Sequence, residues 1–118
     1  MKKSLTRKRI EAVAISLCAD YMRRKAFVEN RLGERRVRME YAYINAKLFD
    51  AASEIAGPNQ AEIYISEIGQ MIGYANSKIR NISECTYKIN KERIKENVLR
   101  KIYYINSFDG LKDVDGEY

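Results

Sequence analysis

Apolar side chains return at every third or fourth position along most of this chain, and that spacing restricts it to helices. Ile10, Val13, Leu17, Tyr21 and Val28 form one such series. Val37, Tyr41, Ile44, Leu48, Ala52 and Ile55 form a second, and Ile94, Val98, Ile102 and Ile105 a third. Residues spaced this way fall on one face of a 3.6-residue helix, whereas a strand would alternate. Only Ile63 and Ile65 hint at alternation, inside a stretch that is otherwise helical in period. One proline and six glycines leave few interruptions. The pattern therefore predicts an all-α fold of about five helices. The first runs from about Thr6 to Asn30, and the second from beyond Gly33 to Gly57-Pro58, which ends it. A third begins at Pro58 and reaches about Ile72. A fourth spans about Asn76 to Ile89, and a fifth Lys91 to about Ile105. Residues 1–108 read as a single domain, because 118 residues with 46% apolar content suffice for one core. Residues 109–118 read as an acidic, frayed tail; its Asp113–Glu117 run lacks the ligand spacing of a calcium loop.

Several classes of function are disfavoured. Histidine is absent, and the two cysteines, Cys18 and Cys85, lie far apart and match no metal-ligand spacing. They read as reduced, partly buried thiols in a cytoplasmic protein. No nucleotide-binding glycine loop or nucleophile elbow is present, and the tyrosine pairs lack the arginine and histidine that recombinase chemistry requires. The reading is a non-enzyme that needs neither metal nor cofactor. The basic start followed by the apolar run Ala12–Ala19 is too short for a signal peptide, and its pattern continues as an amphipathic helix. No segment is apolar for long enough to span a bilayer.

Net charge is +6, unevenly distributed. Residues 1–38 carry 12 basic and 4 acidic side chains, residues 39–75 carry 1 and 5, and residues 76–105 carry 8 and 3. Two basic blocks around an acidic middle suit an anionic partner, although solvated helix faces produce similar blocks.

The segment Ile65 to Glu84 has the marks of a helix-turn-helix. Two helices that cross closely need a small residue at the contact, which Gly69 supplies, and a turn residue tolerating positive φ, which Gly73 supplies. Ile68, Ile72, Ile79 and Ile82 are placed to point inward, and Tyr74 to roof the turn. A plain helical hairpin is the competing reading. The second helix would expose Asn76, Ser77, Lys78, Arg80, Asn81 and Glu84 to the major groove, where asparagine suits adenine and arginine suits guanine. Lys88, Lys91 and Arg93, with Lys95 beyond them, would neutralise phosphates.

Within this window, Ser66-Glu67-Ile68-Gly69-Gln70-Met71-Ile72-Gly73 followed by Ile79-Arg80-Asn81-Ile82 resembles the region-four helix-turn-helix of bacterial sigma factors. Gly73 to Ser77, with Ile82 to Lys88, is similar to the small sigma-region-four-like regulators of Gram-positive phages and prophages, of the ArpU and RinA kind. The resemblance covers residues 65 to 92. It implies a transcription regulator that reads double-stranded DNA, with RNA polymerase as a second candidate partner, rather than a promoter-melting subunit. Ala75 departs from it, standing where a serine or threonine usually caps the recognition helix; Asn76 offers a cap one residue later. Dimerisation is expected, since one short recognition helix rarely gives enough specificity alone. Two alternatives stand beside this reading: a phage-encoded adaptor or inhibitor gripping a host protein through its helical faces, and a nonspecific nucleic-acid binder.

Overall fold

The computed structural model describes residues 5–103 and contains five α-helices with no strand among them. They are α1 (Leu5–Ala19), α2 (Tyr21–Glu29), α3 (Arg35–Ala56), α4 (Pro58–Gly69) and α5 (Glu84–Tyr103), with a 3-10 turn at Tyr74–Asn76. The all-α class and the helix number agree with the periodicity. Ile105 and the 109–118 tail lie outside the described residues.

The longest helix, α3, organises the rest. Its inner face carries Asn45, Leu48, Ala51 and Ala52, all buried. Against them lie Ala61, Tyr64, Ile65 and Ile68 of α4 and Tyr87, Ile94 and Val98 of α5. The second apolar series is thus core, as its spacing implies. Gly57 separates α3 from α4 with φ 87° and ψ 156°, a conformation open essentially only to glycine, and Pro58 follows as the first residue of α4. One residue therefore turns the chain between the two helices.

The predicted first helix is broken. Asp20, at φ −91° and ψ 0°, separates α1 from α2. In an unbroken helix the Leu17 carbonyl would accept from the Tyr21 amide. Here it accepts from Nη2 of buried Arg24 at 2.5 Å, whose Nε donates to Asn45 at 2.7 Å. Asn45 in turn donates to the Tyr21 carbonyl at 3.0 Å, so the bend is tied to α3. The buried face of α1 is also rotated from expectation: Ala14 and Cys18 are buried while Val13 is 39% exposed. Cys85 is exposed, not partly buried as expected.

Gly69 marks a close helix approach. A Cβ built on it would lie 2.5 Å from the Ala19 N and Cα atoms and 2.7 Å from the Cys18 carbonyl carbon. The glycine does permit a crossing, but of α1 over α4. Ala14 and Leu99, with Ile10 beside them, then join α1 to α5. Lys95 reinforces that contact through Glu11 at 2.7 Å, both side chains being 12% exposed.

The helix-turn-helix expected over Ile65–Glu84 is not formed. Its first helix ends at Gly69, and residues 70–83 are an ordered connection containing only the 3-10 turn. Gly73 adopts φ −87°, so its left-handed role falls to neighbours. Met71 takes φ 57° and Asn81 φ 68°. At the end of α4 the Ile72 amide donates to Glu67 O and the Met71 amide to Ile68 O, a Schellman closure with methionine at the left-handed position. A left-handed non-glycine residue costs about 1–2 kcal/mol, and Met71 is 73% exposed, with little burial to offset that cost. Met71→Gly is expected to stabilise the protein by about 0.5–1 kcal/mol, read from the urea midpoint; a lower midpoint would refute it.

Candidate nucleic-acid interface

The connection 70–83 is built around one buried carboxylate. Glu67, on the last turn of α4, is 3% exposed. Its Oε1 accepts from the Ser77 hydroxyl at 2.6 Å and from the Tyr87 hydroxyl at 2.8 Å, and its Oε2 from the Lys78 amide at 2.7 Å. Ser77 Oγ accepts from the Ile79 amide at 2.9 Å. Two backbone amides that a recognition helix would have used are thus satisfied by side chains, which is the local reason that helix is absent. Burial, then the hydrogen bond to Glu67, push the Tyr87 phenol up to about 12. The Tyr87 ring stacks on Tyr64 with centroids 5.7 Å apart and touches Tyr74, which donates to the Ile82 carbonyl at 2.7 Å. Tyr74, inside the 3-10 turn, is half-buried against the core, Ile68 and Ile79 are buried, Ile82 packs against the core and Ile72 is half-buried.

Helix α5 begins only at Glu84. Ser83 Oγ accepts from the Thr86 amide at 3.1 Å, an N-cap seven residues beyond the expected cap at Asn76.

The sequence-predicted site residues divide into three groups. Asn76, Lys78, Arg80 and Asn81 are exposed on the connection. Arg80 folds back, donating to the Ser77 carbonyl and to the Ile79 carbonyl at 3.3 Å. Glu84, Lys88 and Arg93 are exposed on α5, where Glu84 and Lys88 pair at 2.8 Å across one turn. The remaining two face inward, contrary to expectation. Ser77 is 1% exposed and bound to Glu67. Lys91 is half-buried, donates to the Ile72 carbonyl at 2.6 Å and sits 4.9 Å from the centre of the Tyr87 ring. Burial lowers the pKa of its amine. It caps the Schellman turn and is not placed to meet a phosphate.

Beside the connection lies a groove of about 290 Å³, lined by Met22, Ile63 and Ser66 of the helices and by Gln70, Ile72, Asn76 and Lys78 of the connection. Sequence reasoning missed Glu67 and Tyr87 as the groups that shape the site. Among the described residues, no group of three or more acidic or cysteine side chains is close enough to hold a metal, and no helix is long and apolar enough to cross a membrane. No protein-family model matches the chain, and no curated protein or solved structure is significantly similar to it.

Proposed function

We propose that the chain is a cytoplasmic DNA-binding regulator of phage or prophage type that contacts the duplex with an ordered loop instead of a recognition helix. The observation carrying this reading is the connection 70–83, which contains two basic residues and no acidic one and is held by buried Glu67. The backbone carrying Asn76, Lys78, Arg80 and Asn81 is already fixed, so binding need not supply the entropy of arranging it, and Arg80 has only to release the Ser77 and Ile79 carbonyls to reach a base. Arg80 and the two asparagines have the hydrogen-bonding edges that read guanine and adenine. Lys78, with Lys88 and Arg93 on α5, suits phosphates. RNA polymerase stands as the second partner only through the sequence resemblance.

The test is titration of a labelled duplex pool at several salt concentrations. Wild type is expected to bind with an affinity that falls steeply with salt. Lys78→Ala combined with Arg80→Ala should weaken binding by roughly tenfold or more and reduce the log–log salt slope by about 1 to 2. Both side chains are exposed and only the Arg80 bonds to the Ser77 and Ile79 carbonyls are lost, so the melting temperature should fall by no more than roughly a few degrees. Absence of binding by wild type, or an unaltered affinity in the double variant, would overturn the reading and leave the adaptor alternative.

A further inference from the structure

Along α3, Arg36, Met39, Tyr43, Ala46 and Asp50 succeed one another at steps of three and four, forming one stripe. It runs opposite the face of Asn45, Leu48 and Ala52 that enters the core. All five residues are exposed, Met39 by 61% and Tyr43 by 56%. Two large apolar side chains thus stand in water on adjacent turns, beside the small Ala42 and Ala46, which would let another helix approach closely. A shallow groove of about 490 Å³ borders them, lined by Arg36, Met39, Glu40, Tyr43 and Ile44.

The charges say what covers this stripe. Arg36 and Asp50 each lie seven residues from Tyr43, on opposite sides of it, with opposite signs. Neither makes an ion pair among the described residues of its own chain. A copy of α3 laid antiparallel, with the two-fold axis at Tyr43, brings Arg36 of each chain opposite Asp50 of the other, about 10 Å from the axis at both ends. The same register sets Glu40 of one chain beside Lys47 of the other and lays Met39 on the Lys47 stem. A parallel arrangement would set like charges against each other.

We infer that this stripe is the two-fold interface of a homodimer, α3 against α3, with Tyr43 at its centre. The seam is short, so the dimer belongs to the weak, reversible class. It does not depend on DNA binding.

Sedimentation velocity of the full chain, over a roughly micromolar to sub-millimolar range, tests it. Wild type is expected to pass from monomer to dimer with concentration. Arg36→Asp and Asp50→Arg should each weaken the dimer by at least tenfold, because each sets like charges opposite one another twice. An equimolar mixture of those two variants restores both opposite pairs and should dimerise like wild type, as should the double reversal in one chain. Tyr43→Asp, which places two carboxylates at the axis, should abolish association and supplies the answer if a charge variant fails to fold. Wild type that stays monomeric, a dimer that persists in all single variants, or a mixture without recovery would overturn the interface.

Discussion

Gly69→Ala is expected to destabilise the protein by about 3 kcal/mol, although alanine is the better helix former. On propensity alone the substitution at the end of α4 would gain up to about 1 kcal/mol. The added methyl, however, would sit 2.5 Å from the Ala19 N and Cα atoms and 2.7 Å from the Cys18 carbonyl carbon. Those are main-chain atoms of α1, which cannot turn aside as a side chain would, so the two helices must move apart. Overpacking of this kind typically costs 1–3 kcal/mol, more where the obstacle is rigid. Separation would also loosen Cys18 and Ile68, both part of the core. For a domain of roughly this size that corresponds to a fall in Tm of roughly 10–20 °C, measurable by circular dichroism. Gly73→Ala is the control: a Cβ there meets nothing within 4 Å and the backbone is at φ −87°, so its Tm should stay within a few degrees. A Gly69→Ala protein as stable as wild type would show that α1 and α4 do not meet backbone to backbone.

Glu67→Ala should cost still more, on the order of 4 kcal/mol. It removes the acceptor for the Ser77 hydroxyl and the Lys78 amide, and leaves the Tyr87 hydroxyl only the Ile72 carbonyl at 3.2 Å. A buried donor left without a partner costs about 1–3 kcal/mol, and some of the three would be rescued by water entering the space. Tyr87→Phe removes one donor and leaves the other two in place, so about 1 kcal/mol is expected. Hydrogen exchange separates this hub from a merely well-packed glutamate. The Lys78 and Ile79 amides should be protected in wild type and exchange rapidly in Glu67→Ala, while the interior of α3 stays protected. Equal exchange in both proteins would dismiss Glu67 as the anchor of the connection. Since the proposed DNA contacts project from that segment, the variant should also bind DNA more weakly at a temperature where its helices are intact.

The contrast between these positions explains what was legible in the sequence. Leu48 and Ala52 and the pair Ile94 and Val98 are core residues because of where they stand in their own helices, and spacing reveals that. Gly57-Pro58 is equally local: one residue needs a conformation closed to side chains and the next has no amide to donate. Gly69 was recognisable as a contact point, but a missing Cβ does not name what passes over it, and α1 lies some fifty residues upstream. The connection was hardest to see. Ile79 and Ile82 keep a helical interval and are buried or half-buried, yet the chain is not helical there, because Glu67 takes the Lys78 amide and Ser77 Oγ the Ile79 amide. A local sign did exist in Ser83 with Thr86, which starts α5 where the isoleucine pattern would have continued a helix already begun. Among the residues that sequence points to as contacts, Ser77 and Lys91 differ for the same reason: polar type suggests solvent, whereas both complete hydrogen bonds inside the fold.

The bend at Asp20 and the seat of Gly69 leave the two thiols chemically unequal. Cys18 is 2% exposed beneath that crossing, and burial pushes its thiol up to about 12, so at neutral pH it holds almost no thiolate. Cys85 stands open to solvent on the first turn of α5, two residues beyond the connection. The natural sequence thus carries one address for a fluorophore or spin label next to the proposed contact surface, with no mutation needed to create it. The other thiol is silent while α1 stays closed over α4, and its slow modification would count the molecules that have opened.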